Sequence, residues 1–441
     1  MKNDIQQTGI FAKTISFLGL FALSLVPALA QVTPGGTVGD SAIYIEAEGG
    51  EQLTRATVAG GYGPFLAHDF DTEVLADATY QLNPTGDDAS FIALSSGRHL
   101  VLYNTRFIAT GGANRAEIQT WLTLSGEQLS AGRSQGYIRR TGNANEAVLS
   151  GGAIITSPSD NARVSLRSRR SDTNTNAAVL PQRNLPSGGA ANNNVAGSTA
   201  IQFFKLDDSW AYLNLELAAD QALANNANYQ PVAYDTNASP DTLGTAFVVN
   251  GGNVTFNEDG LYLVLANTGL QKATNNTRTN YLQRLTLDGA EVAGSVTTTY
   301  IRGNEDTNEG VASLGTVIKA AAGQVLTVQV SKENGSVATV KAGQSAINIV
   351  QLPASAAFLA LADATNQEIN DTPAAGPASF ADQISLPSKF SHSRGQSQVT
   401  VSETGNYLFL ANVFTQSDDT NDNHDRTVPL HGWQATGPNG A

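Results

Sequence analysis

The feature that most limits what this chain can fold into is an internal repeat. One block recurs without gaps at an offset of 163 residues, so that Gly97, Leu100, Leu102 and Asn104 return as Gly260, Leu263, Leu265 and Asn267. Arg115 returns as Arg278, Leu122–Gly126 as Leu285–Gly289, and Tyr137–Arg139 as Tyr300–Arg302. Asn145 and Glu146 return as Asn308 and Glu309, and Gly152 and Ile155 as Gly315 and Ile318. A chain with this pattern arose by duplication of one structural unit, and each copy must fold in the same way. A third copy begins at Gly405–Asn412, and Arg426 precedes Gly437 at the spacing that separates Arg115 from Gly126. No counterpart of Tyr137–Arg139 follows before Ala441, so this copy is expected to be truncated.

A second match, at an offset of 146, sets the boundaries. Ala200–Leu206 aligns with Ala346–Leu352, and Ala211–Leu215 with Ala357–Leu361, while Ala42–Ile45 looks like the same opening strand. The expected domains are therefore 40–207, 208–353 and an incomplete 354–441, close to the ~150 residues usual for one domain. Domain 1 is longer mainly through Ser171–Gly197, a Ser-, Asn-, Gly- and Ala-rich tract with Pro181 and Pro186. Such a composition predicts an exposed, mobile loop insertion.

The local pattern is that of strands. Gly260–Ala266, Gln324–Val330 and Ser345–Leu352 are short, rich in β-branched or aromatic residues, and often alternate apolar with polar. Asn250–Gly252, Asp288–Gly289 and Asn334–Gly335 punctuate them as turns. Sustained helical periodicity is absent, and Ala218–Ala227 is the one stretch expected to make a helical turn or two. The prediction is an all-β chain of tandem antiparallel β-sandwich domains.

These residues also resemble a known family. Phe256–Val264 is similar to the Gly-x-Tyr strand of the C1q/TNF-like jelly roll. It is followed in that family's order by Leu285–Gly289, Tyr300–Arg302, Gly323–Val330 and the closing strand Ser345–Leu352. The resemblance covers domain 2, most of domain 1 and the start of domain 3. It implies a ten-strand jelly roll, trimeric association and partner binding without catalysis. Tandem copies on one chain depart from the family, so an intramolecular pseudo-trimer stands beside a trimer of chains.

Compartment is read from the N-terminus. Lys2 and Lys13 flank an apolar run from Ile15 to Val26, and Ala28–Ala30 offers small residues at the cleavage positions. The run is shorter than the ~20 residues a membrane-spanning helix needs. Residues 1–30 are therefore expected to be a secretory signal peptide, followed by a linker over 31–39, and no later stretch is apolar enough to span a membrane. With no cysteine, a disulfide framework is excluded. A net charge of −14, spread along the chain without an acidic tail, opposes nucleic-acid binding, which requires a surplus of Lys and Arg on one face.

Candidate chemistry is sparse. His68, His99, His392, His424 and His431 show no metal-ligand spacing and do not recur between copies. Gly132–Gly136 fits the G-x-S-x-G pattern around Ser134, but that pattern works as a nucleophile only at a strand-to-helix turn, and here it leads into a strand. Asp419, Asn421, Asn423 and Asp425 place oxygen ligands at alternate positions, which leaves open a calcium loop beside a solvated acidic loop. Asp69, Asp71 and Glu73 offer a weaker version. Arg115, Arg278, Arg426, Glu146 and Glu309 recur, and residues shared by every copy are expected to serve the common fold or a contact between domains. Arg163, Arg167, Arg169 and Arg170 cluster in domain 1 only, where they suit either an acidic partner or the charged protection of a strand edge. The expected function is an exported, non-catalytic scaffold or binding module whose partner is an extracellular protein or glycan. The alternative is a set of accessory binding domains in a larger secreted enzyme whose catalytic part lies beyond residue 441.

Overall fold

The computed structural model describes residues 42–47, 66–68, 70–75, 80–82, 92–110, 116–138, 146–171, 178–181, 199–224, 228–234, 246–273, 279–301, 308–333, 338–362, 382–385, 389–403, 408 and 410–411. The predicted signal peptide and linker lie outside them. No helix among the described residues is long and apolar enough to cross a membrane.

Two sandwiches follow one another along the chain. The first sheet of sandwich 1 runs in the order β10 (Glu146–Ser157), β6 (Gly97–Thr110), β13 (Thr199–Lys205), β1 (Ala42–Ala47), β3 (Phe70–Leu75), with β12 (Ala178–Pro181) also on β6. Its second sheet runs β4 (Tyr80–Leu82), β5 (Ile92–Leu94), β11 (Ala162–Arg170), β7 (Ala116–Leu124), β8 (Glu127–Gln128), with β2 (Leu66–Ala67) on β11 and β9 (Ser134–Ile138) on β7. Sandwich 2 repeats the plan. One sheet runs β14 (Tyr212–Glu216), β26 (Ala346–Leu352), β19 (Gly260–Lys272), β25 (Ala338–Val340), β15 (Gln221–Leu223), with β23 (Glu309–Ala320) on β19. The other runs β17 (Phe247–Asn250), β18 (Asn253–Phe256), β24 (Val325–Lys332), β20 (Thr279–Leu287), β21 (Ala290–Glu291), with β16 (Gln230–Pro231) on β24 and β22 (Thr297–Ile301) on β20. Two short two-stranded ribbons follow, β27 (Ala360–Ala362) with β28 (Asp382–Ser385) and β29 (Phe390–His392) with β30 (Val399–Val401). Every pairing is antiparallel.

The repeated residues explain the repeated geometry. In β24 the apolar Leu326, Val328 and Val330 are buried while Val325, Thr327 and Gln329 between them are only half-buried, which is the period of two that a sheet with one core face demands. Ser125 and Gly126 close the β7–β8 hairpin at φ of 51° and 92°, and Asp288 and Gly289 close β20–β21 at 50° and 80°. Two successive residues with positive φ make the two-residue turn whose twist matches paired strands, and Gly takes the second position without steric cost. Leu102 lies opposite Gly152 and Gln202, and its counterpart Leu265 opposite Gly315 and Asn348. Register is thus carried from one copy to the next. Ile92, Val101, Leu122, Val164, Ile201 and Phe203 are among the side chains closing the core of sandwich 1, and Val264, Tyr281, Leu285, Leu326, Val328 and Ile349 among those of sandwich 2.

Three expectations need correction. The tract Ser171–Gly197 is not wholly a loop, because Ala178–Pro181 forms β12 against Phe107–Thr110. Within Ala218–Ala227, Gln221–Leu223 is strand β15 and not helix, since it pairs with Ala338–Val340. The strand β11 that holds the arginine cluster is no sheet edge, because β5 and β2 pair with one side of it and β7 with the other. Protection of an edge therefore cannot be why those arginines are there.

Candidate functional site

The most elaborated place among the described residues is the contact between the two sandwiches. It begins at residues 206–210, which join the two sandwiches. Leu206 N donates to Arg98 O at 2.8 Å, and the Arg98 side chain reaches across to Trp210 O at 2.8 Å and to Asp208 O. Beyond it, β6, β9 and β10 of sandwich 1 and the turn before β9 meet β14, β19, β23 and β26 of sandwich 2.

Strand β10 ends its sheet, so the outward N–H and C=O groups of Ile154 have no neighbouring strand to pair with. Sandwich 2 supplies both partners. Ile154 N donates to Asn348 Oδ1 at 3.0 Å, and Tyr212 OH donates to Ile154 O at 3.2 Å. An unpaired sheet edge, normally a site of adventitious strand addition, is capped here by two side chains. Asn348 is held in turn by donating to Asn214 Oδ1 at 2.7 Å. Nearby, Asn267 Nδ2 donates to Ser130 O at 2.9 Å, Ser130 Oγ donates to Glu216 at 2.9 Å, and Ser313 Oγ donates to Arg133 O at 3.0 Å. Arg133 reaches Gly343 O at 3.2 Å while its guanidinium lies over Trp121.

Between these polar links lies an apolar cluster. Leu100, Leu102 and Ile154 of sandwich 1 pack with Tyr212, Leu263, Leu265 and Val350 of sandwich 2, and all seven are buried. Gly152 leaves room for Leu102. A Cβ there would lie 2.4 Å from Leu102 Cδ2 and 3.1 Å from the Val101 carbonyl oxygen, so any larger residue would push Leu102 from its place in the cluster, whereas Leu265 Cδ1 at 3.5 Å is in ordinary contact range. A cavity of about 180 Å³ remains in the contact, with Leu129, Thr156, Tyr212, Asn214 and Glu216 in its wall.

The residues singled out in sequence are distributed differently. Glu309 lies in the contact, where its carboxylate accepts from Gln119 Nε2 of sandwich 1 at 2.8 Å and from Gln271 Nε2 at 3.2 Å. Glu146 opens β10. Arg115, Arg278 and Arg426 lie outside the described residues, as do Asp419, Asn421, Asn423 and Asp425 of the acidic loop. Asp71 and Glu73 are in strand β3. Among the described residues no group of three His, Cys, Asp or Glu could hold a metal ion.

Ser134 is buried at the start of β9, and its Oγ lies 2.9 Å from Tyr103 OH. That hydroxyl also comes within 2.9 Å of Gly132 O, and burial raises the pKa of Tyr103. A serine in this setting ties a turn to the core and faces no solvent. His68 is buried among apolar groups against Phe107 and is hydrogen-bonded through Nε2 to Ser168 Oγ at 2.7 Å. Desolvation lowers its pKa to about 4. His99 bonds Tyr80 OH and Ser95 O, and burial shifts its pKa down as well. In the arginine cluster, Arg169 grips Gln119 Oε1 through Nε at 2.9 Å and a terminal nitrogen at 2.8 Å while stacking over Trp121. Arg170 is buried and Arg163 is exposed. Arg169 thus supports the Gln119 that meets Glu309 across the contact.

No protein-family model matches the chain. No curated protein matches it in sequence. Among solved structures, crystal structures of murine APRIL resemble part of it. The structure at pH 5.0 is 14% identical, covers 32% of this chain and 99% of its own, and gives a TM-score of 0.25. Those at pH 8.0 and pH 8.5 are 13% and 14% identical with the same coverage, at TM-scores of 0.25 and 0.24. At such scores the likeness adds nothing to the all-β sandwich assignment, which rests on the strand pairing itself.

Proposed function

We propose that the chain is an exported, non-catalytic scaffold in which tandem jelly-roll domains are joined into one stiff piece, and loops at its ends contact an extracellular protein or glycan. The observation that carries this reading is the contact between the repeats. Domains that merely share a chain meet through small, wet surfaces and move relative to one another. Here the segment joining the sandwiches is clamped by Arg98, a sheet edge is capped by Asn348 and Tyr212, and leucines from both repeats share one apolar cluster. Effort of that kind fixes orientation, which a scaffold requires. The burial of Ser134 against Tyr103 supports the non-catalytic part of the reading.

Two measurements test it. Beads coated with the intact chain are expected to adhere to an extracellular polymer or cell surface, and to lose adhesion when free chain competes. In parallel, Ser134→Ala is expected to leave hydrolysis of ester, amide and glycoside reporters at the same background level as the parent. Turnover that disappears in a folded Ser134→Ala protein would make the chain a hydrolase and overturn the reading.

A further inference from the structure

We propose that Tyr137 and Tyr300 form a modification site, at which oxidation by peroxide joins the two rings carbon to carbon and ties repeat 1 to repeat 2 as an intrachain dityrosine. The argument starts from position. Tyr137 lies in β9 and Tyr300 in β22, at the same place in the two copies. The rings meet across the contact, with centroids 5.8 Å apart and planes inclined at 47°. That separation lies inside the ~4.5–7 Å range of touching aromatic rings. Among the described residues no other two tyrosine rings meet.

Access separates this pair from the other tyrosines. Tyr300 is 37% exposed and Tyr137 is half-buried, so a small oxidant reaches the pair from solvent. Tyr80, Tyr103, Tyr212, Tyr234, Tyr262 and Tyr281 are buried. Tyr229 is half-buried beneath the Arg284 guanidinium, 3.7 Å from the ring centroid. Stacking alone does not use the hydroxyl, and two phenylalanines would serve it as well. Tyrosine at both positions instead sets two oxidisable phenols side by side. The chain has no cysteine, so a disulfide cannot make the tie.

One hydrogen peroxide balances the step. Each phenol gives up one electron and its hydroxyl proton and becomes a phenoxyl radical. The two radicals join through ring carbons ortho to the oxygens, and each of those carbons passes its proton to the phenol oxygen. The peroxide leaves as two waters, and the product is lighter than the parent by two hydrogen atoms. Bond formation draws the rings closer than mere contact. The exposed Tyr300 side chain has the freedom to supply that movement by turning about its two torsions.

The test treats the intact chain with hydrogen peroxide and a haem peroxidase, in a mixture of heavy-nitrogen-labelled and unlabelled chains, and then digests it. The expected product is a peptide pair joining Tyr137 to Tyr300, two hydrogens lighter than its parts and either wholly labelled or wholly unlabelled. Tyr137→Phe and Tyr300→Phe keep the stacked ring, and each is expected to abolish that pair. Absence of the pair from the parent, or a yield no greater than that of links formed by the other tyrosines, would overturn the proposal. Pairs of mixed label would overturn it too, because the rings would then be coupling between chains. The parent digest decides by itself, so a variant that fails to fold cannot rescue the idea. None of these outcomes depends on what the scaffold binds, and the proposal and the proposed function therefore fail separately.

Discussion

Lowering the pH from 6.5 to 4 is expected to remove about 3 kcal/mol of stability from repeat 1 through His68 alone. Its imidazole is buried, and desolvation holds its pKa at about 4, whereas the unfolded chain restores the ordinary 6.5. The native state therefore favours the neutral form. That contribution is fully present above pH 6.5, where both states are neutral. It declines as the unfolded state begins to bind a proton the native state refuses, and it is lost once pH passes below the native pKa. A shift of this size corresponds to about 3 kcal/mol at ~1.4 kcal/mol per pKa unit. His99 acts in the same direction, so some pH dependence survives without His68. His68→Gln keeps a donor and acceptor near Ser168 Oγ but cannot titrate. Urea unfolding at several pH values between 7 and 4 is expected to show the parent losing about 3 kcal/mol more than the variant. Equal losses would mean that the native imidazole is solvated.

What could be read from the sequence was whatever is local or shared between copies. The all-β class was legible because alternation and turn chemistry act over a few residues, as in β24 or at Ser125–Gly126 and Asp288–Gly289. Recurrence also marked Leu100, Leu102, Leu263, Leu265, Asn267 and Glu309, which take part in the contact. The polar capping was hidden for a physical reason. It depends on residues the copies do not share: Asn348 stands where the first copy has Gln202, Ile154 where the second has Val317, and Ser130 where the second has Ala293. Comparing copies highlights their common residues and passes over these. The G-x-S-x-G pattern misleads in the opposite way. Its spacing is local, but its chemistry depends on exposure at a strand-to-helix turn, and Ser134 sits buried at the head of a strand under Tyr103. The arginine cluster was ambiguous because pairing on both sides of β11 arises from residues distant in sequence.

Asn348→Leu is expected to weaken the coupling of the two sandwiches by about 2 to 4 kcal/mol and to split one thermal transition into two. In an antiparallel strand the N–H and C=O of one residue point the same way, so both outward groups of Ile154 depend on sandwich 2. Removing the Asn348 amide leaves Ile154 N and Asn214 Oδ1 without their partners. Each buried polar group abandoned in this way costs about 1 to 3 kcal/mol, and the added apolar contact with the neighbouring leucines offsets only part of that. The matching change in repeat 1 supplies the control. Gln202→Leu replaces a buried oxygen that has no partner, so it should cost little or even stabilise. Calorimetry of both variants separates the effect of the contact from the general effect of placing leucine on that strand. If the two substitutions shift the melting temperature equally, or if Asn348→Leu still melts in one transition at the parent temperature, the amide does not couple the repeats. The apolar cluster around Leu102 and Leu265 would then hold them together without it.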